Sequence, residues 1–217
     1  QNATVIFIIS SVVNLTSNAT TAIADGKSAI LFTATVKDNL GNLTPNVIVT
    51  FFNESGTSLS QSTATTNANG QATVSLTSST VGSFPLTAKV DNNPADNGIS
   101  TTVSFIADIA TAVVADIKPG SRTAVAGVDT VMVTATVKDK FGHLVQNADV
   151  TFTTSLGSIN PPTATTDANG QASVSLQSGT VGDAIVTAAV SSNANDKGRR
   201  KMVTFVEDID RPIPKPE

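Results

Sequence analysis

His143 is the one histidine of this 217-residue chain, and no cysteine accompanies it. A hydrolytic triad needs a nucleophile, a base and an orienting carboxylate within hydrogen-bond reach, so His143 is the base that any such site would have to use. It sits in Lys140-Phe141-Gly142-His143, and an earlier stretch, Asn39-Leu40-Gly41-Asn42, carries an uncharged Asn at the matching place. His143 therefore reads as a turn residue. Without Cys there is no disulfide, thiolate nucleophile or thiolate metal site, and one His makes no imidazole pair for zinc. The inventory points to no enzyme, no cofactor and no metal centre.

Oxygen ligands for calcium are the next chemistry to weigh. Asp91-Asn92-Asn93-Pro94-Ala95-Asp96 is rich in oxygen, but it lacks the Glu that closes an EF-hand and has Pro94 inside it. Ser191-Ser192-Asn193-Ala194-Asn195-Asp196 carries fewer charges, and the pairs Asp108 with Asp116 and Asp208 with Asp210 have no motif around them. These read as loops. A Lys to Asn cross-link at Lys37 or Lys138 would need a buried amine beside a buried acid, yet strand alternation turns both lysines outward. The basic run Lys197, Arg199, Arg200, Lys201 answers Asn97, Ile99, Ser100 and Thr101 elsewhere in the chain. It is the most asymmetric surface feature, and it is a candidate patch for an anionic partner set against the plainer reading of a solvated loop. Phe52, outward by alternation, is a second asymmetry. Five N-x-S/T triplets, at Asn2, Asn14, Asn18, Asn42 and Asn53, are what chance yields in so Ser/Thr/Asn-rich a chain.

The elements that position these residues follow from an internal repeat. Thr-Ala-Thr-Val-Lys-Asp occurs at 33–38 and again at 134–139, and Val49-Thr50-Phe51 answers Val150-Thr151-Phe152. After one residue is lost, Thr-Ala-Thr-Thr-Asn-Ala-Asn-Gly-Gln-Ala at 63–72 answers Thr-Ala-Thr-Thr-Asp-Ala-Asn-Gly-Gln-Ala at 163–172. Within each copy apolar residues alternate with period two, as at Ile30, Phe32, Ala34, Val36 and at Val131, Val133, Ala135, Val137. No helical period competes. About seven strands per copy, punctuated by Gly, Asn, Asp and Pro, describe an all-β fold of two tandem immunoglobulin-like antiparallel β-sandwiches. Asn69-Gly70 and Asn169-Gly170 can supply the positive φ of tight turns.

Charge excludes further classes. Residues 1–108 hold three bases against six acids and residues 109–217 hold ten against eleven, so neither half is a nucleic-acid binder by balance. With no Trp and no Tyr, stacking platforms for bases or sugars have little to be built from. The longest apolar run near the start, Val5 to Ile9, is far below the roughly 20 residues of a membrane span.

Three stretches carry a family resemblance: Ala-Asp-Gly-Lys-Ser-Ala-Ile at 24–30, Val-Thr-Phe-Thr-Thr-Ser-Leu-Gly at 150–157, and Asp-Ala-Asn-Gly-Gln-Ala-Ser-Val-Ser-Leu-Gln-Ser-Gly-Thr-Val-Gly at 167–182. They resemble the group 1 bacterial immunoglobulin-like domains that repeat in intimin and invasin adhesins, and the resemblance covers both copies. It implies an extracellular rod between an outer-membrane β-barrel and a distal, often lectin-like, binding domain. Neither of those is in this chain, which accordingly looks like stalk. The partners implied are neighbouring immunoglobulin-like domains and a host-cell protein or glycan, and the implied location is the bacterial surface, with secretion as the alternative. The alternative function is a secreted or surface binding module in which these domains themselves recognise a host protein or glycan.

The expected division is residues 1–9 as the end of a preceding repeat or linker, 10–108 and 109–210 as the two domains, and 211–217 as a Pro-rich linker. The start at Gln1 in place of Met gives the expectation of a processed or excised piece of a longer protein. The joint at Ala107, Asp108, Ile109, Ala110 and Thr111 has no Gly or Pro, which leaves few residues to hinge on and favours an end-to-end arrangement with restricted bending.

Overall fold

A computed structural model describes residues 9–208. The chain forms two compact units that part between Ile106 and Ala107. The segment read as the end of a preceding repeat lies, apart from Ile9, outside the described residues, as do the Pro-rich segment, Asp210 and Asn2.

The first unit has nine strands: β1 (Ser10–Ser17), β2 (Thr21–Ile23), β3 (Ile30–Asp38), β4 (Ile48–Asn53), β5 (Thr57–Leu59), β6 (Thr63–Thr65), β7 (Gln71–Ser78), β8 (Gly82–Val90) and β9 (Ile99–Ile106). They make a four-stranded sheet ordered β1-β3-β7-β5 and a five-stranded sheet ordered β2-β9-β8-β4-β6. Pairing is antiparallel except for β2 on β9. The second unit repeats this plan with β10 (Val113–Pro119), β11 (Thr123–Val125), β12 (Thr130–Lys138), β13 (Asp149–Thr154), β14 (Ser158–Asn160), β15 (Thr163–Thr165), β16 (Gln171–Gln177), β17 (Gly182–Val190) and β18 (Arg199–Val206). Its sheets run β10-β12-β16-β14 and β11-β18-β17-β13-β15.

Nine strands per unit exceed the seven expected. The additional ones belong to the three-residue strands at the sheet edges, too short for a period of two to declare itself. On the long strands other than β1 and β10, whose pairing slips at Val12/Asn14 and Val114/Asp116, alternation and structure agree. Ile30, Phe32, Ala34 and Val36 on β3 are buried while Leu31 is exposed, and Phe32 pairs with Val74 across β7. Each sandwich encloses its own core, with Phe32, Phe51 and Phe105 in one and Phe152 and Phe205 in the other.

The repeated Thr-Thr-(Asn/Asp)-Ala-Asn-Gly stretch carries the chain from one sheet to the other. The buried Thr66 hydroxyl donates to the Thr44 carbonyl at 2.7 Å and accepts from the Val47 N–H at 2.9 Å, and Thr166 does the same with Val145 and Ala148. Asn67 Oδ1 accepts from the N–H groups of Asn69 and Gln71, so the turn is closed by a side chain. Only the glycine of each Asn-Gly pair has positive φ, +65° in both copies. A Cβ on Gly70 would meet the Val36 carbonyl oxygen at 2.8 Å, and the Val36 N–H donates to the Gly70 carbonyl at 2.8 Å. Backbone conformation and close approach both demand glycine there.

Candidate functional site

The oxygen-rich loop of the first domain is a clasp. Asp96, 7% exposed, accepts from the Val12 and Val90 N–H groups on one oxygen, at 3.0 and 2.8 Å, and from the Gly98 N–H on the other at 2.9 Å. Asn93 Nδ2 donates to the Ser10 carbonyl, and its oxygen accepts from Ala95. The loop thus fastens β1 at the place where its pairing with β3 slips between Val12 and Asn14. Asp196 and Asn193 repeat the contacts with Val114, Val190, Gly198 and Ala112. Both carboxylate oxygens of each Asp already accept N–H donors, which leaves them poor cation ligands. Among the described residues no group of three or more acids or histidines could hold a metal ion.

His143 belongs to a second, smaller clasp. In the first domain Asp38 accepts from the N–H groups of Leu40 and Asn42 and from Asn42 Nδ2 at 3.0 Å. In the second, Asp139 accepts from Phe141 and His143 N–H groups, and His143 Nδ1 stands 3.0 Å from its other oxygen. His143 therefore fills the place of Asn42. That same oxygen of Asp139 accepts from the Asp108 N–H at 3.0 Å. Burial by itself raises the Asp139 carboxyl, but the N–H groups of Asp108 and His143, the His143 ring and the Phe141 N–H outweigh it and hold the carboxyl below its ordinary value. A carboxyl held low in the folded state stabilises that state above the ordinary carboxylate range, and the contribution is lost as pH falls through the folded value. Asp139→Asn is accordingly expected to flatten the acid limb of the second domain's stability curve, read by urea denaturation between about pH 5 and about pH 2. An acid limb as steep in the variant as in the parent would remove Asp139 from that role.

The joint residues are held by the second unit. Asp108 caps a 3-10 turn at Ile109–Thr111 by accepting from the Ala110 N–H, Lys140 lies 3.5 Å from its carboxylate, and the Thr111 hydroxyl accepts from the Lys140 N–H. Ala107 packs on the second core, while Ile109 is exposed. Lys140 Nζ also stands 4.8 Å from the Phe141 ring centroid. In the first domain Phe52 is exposed, with Lys89 Nζ 5.9 Å from its ring centroid. Lys138 is exposed and Lys37 half-buried, so neither is the fully buried amine that a cross-link requires.

The structure spreads the basic run over two places. Lys197 lies in the loop after Asp196, and Arg199, Arg200 and Lys201 open β18, all exposed. Lys201 lines a groove of about 260 Å³ together with Asp116, Ile117, Lys118, Pro119 and Arg122. Sequence reading had singled out neither Lys118 nor Arg122. The signal was present in the repeat, since Thr16 and Thr20 stand where the second copy has these two cations, but the pair lies about 80 residues from Lys201 along the chain.

No described helix is long and apolar enough to cross a membrane. The pattern of the bacterial Ig-like domain (group 1) family matches residues 12–106 and again 115–206. The chain is similar to intimin of Escherichia coli O127:H6 (strain E2348/69 / EPEC), 41% identical over 187 residues that make up 85% of this chain and 20% of that protein. It is 33% identical over 208 residues, 93% of this chain, to 9% of the inverse autotransporter adhesin YeeJ of Escherichia coli (strain K12). Among solved structures, InvD of Yersinia pseudotuberculosis matches 94% of this chain and 60% of its own length at 20% identity with a TM-score of 0.70, a likeness of fold. The chain thus spans about a fifth or less of the curated relatives it matches.

Proposed function

We propose, for a chain that belongs to the bacterial Ig-like domain (group 1) family, a mechanical role: two consecutive domains of the extracellular stalk of a Gram-negative surface adhesin. The observation that carries this reading is that the family pattern fills both copies in tandem and that the same span aligns with proteins named as intimin and as an inverse autotransporter adhesin. In this role the domains project a binding region away from a membrane anchor, and catalysis has no part. The carboxylates that could have done chemistry support that reading, since Asp96, Asp139 and Asp196 are taken up in holding loops to strands.

A spacer needs joints that resist bending. The segment from Ala107 to Thr111 contains no Gly or Pro, the residues on which a linker bends most freely. Small-angle scattering on this chain tests the role. The expected pair-distance distribution is extended, with a maximum dimension on the order of 80 Å from two sandwiches built of strands about 25 Å long. A single compact peak ending near about 55 Å, the size of one globule of this length, would sink the spacer and favour a folded-back binding module.

A further inference from the structure

Copy two carries cations where copy one is neutral, and the strand registers fix the comparison. Lys118 pairs with Thr134 as Thr16 pairs with Thr33. Lys201 pairs with Val186 as Thr101 pairs with Leu86. The Arg122 carbonyl accepts from the Thr204 N–H as the Thr20 carbonyl accepts from Ser104. Three threonines of the first domain have thus become Lys118, Arg122 and Lys201 in the second, and all three line one groove.

Topology explains the convergence. The chain leaves β10, the edge of one sheet, crosses at 120–122 and enters β11, the edge of the other. The three-residue β11 covers β18 only at Thr204–Val206, so the edge of β18 from Arg199 to Met202 has no strand beside it. Lys118 on β10, Arg122 on the crossing and Lys201 on β18 therefore meet at an open seam of the sandwich, whereas Arg199 and Arg200, which precede Lys201 on β18, do not line the groove. Asp116 is the one carboxylate at the groove. None of these five cations makes an ion pair among the described residues.

We propose that this seam of the second domain binds a sulfated polysaccharide. A narrow strip of cations suits a thin chain bearing repeated anionic groups, and Arg122 can hold a sulfate through two parallel N–H bonds. Nucleic acid fits less well: no aromatic side chain lines the groove for bases to stack on, and the whole chain carries a net charge of −4. An acidic protein fits less well too, because Ile117 is fully buried and the groove lacks an exposed apolar anchor. This inference stands on the second domain alone and is independent of the spacer role.

The test uses the 217-residue chain on immobilised heparin. Retention is expected, weakening on the order of tenfold between about 50 and about 200 mM salt as three ionic contacts require. Desulfated heparin and single-stranded DNA should bind at least about tenfold more weakly than heparin. The triple variant Lys118→Thr, Arg122→Thr, Lys201→Thr installs the first domain's own residues, and it should lose heparin binding while its melting temperature stays that of the parent. The variant Lys27→Thr, Lys37→Thr, Lys89→Thr removes the same amount of charge from the first domain and should bind as the parent does. Failure of the parent to bind heparin, equal losses in the two triple variants, or equal binding of desulfated heparin would each overturn the proposal.

Discussion

Phe152→Ala is expected to lower the stability of the second domain by about 3 to 5 kcal/mol, a large share of the roughly 5 to 15 kcal/mol that holds a domain together. Phe152 is 2% exposed, on the inner face of β13, within the cluster that includes Phe205, Leu176 and Val186. Removing the ring costs the transfer energy of its atoms and leaves a cavity that two hydrogen-bonded sheets are poorly able to close. Its neighbour Thr151 has the opposite orientation, and its hydroxyl bonds the Ser191 hydroxyl at an exposed site. Thr151→Ala should therefore cost no more than about 1 kcal/mol. Urea denaturation of the two variants measures the difference, and equal losses would mean that the inward register of β13 is wrong.

Asp96→Ala should come close to the same effect without touching the hydrophobic core. The substitution strips the partner from the N–H groups of Val12, Val90 and Gly98, two of which lie in buried bonds. At about 1 to 3 kcal/mol for each buried group left unsatisfied, the first domain should lose about 2 to 6 kcal/mol. Asp91→Ala, which removes a single exposed bond from the Thr50 hydroxyl, should cost under about 1 kcal/mol. The same melts run with calcium or with a chelator should coincide for the parent. A stabilisation by calcium that Asp96→Ala abolishes would return this loop to the class of ion sites.

These two residues show how unevenly the molecule is written in its sequence. Phe152 was legible as core because β13 alternates, and alternation is a property that one strand carries by itself. The repeat was legible for the same reason, since two copies of one packing solution keep their inward residues at matching offsets. Three-residue strands such as β2 and β5 were not, because so short a stretch completes hardly more than one period. Asp96 had the composition of a calcium loop, and although Val90 and Gly98 are near it along the chain, the bond that ties the loop to β1 is not local. One of its donors, Val12, lies 84 residues away.

Fold class, the two-copy plan, the buried face of each long unbulged strand and the family of both copies were thus legible in the sequence. The first three rest on local periodicity or on comparison of one copy with the other, and the family rests on the motifs at 24–30, 150–157 and 167–182 that resemble it. Packing assigned the distant polar contacts: Asp96 and Asp196 tie loops to first strands, and Lys118 and Arg122 meet Lys201 at an open seam. The physical reason is that a strand's faces are set by its own pleat, whereas its edges acquire neighbours only when two sheets pack and the chain crosses between them. That juxtaposition joins residues far apart along the chain, so no spacing in the sequence records it.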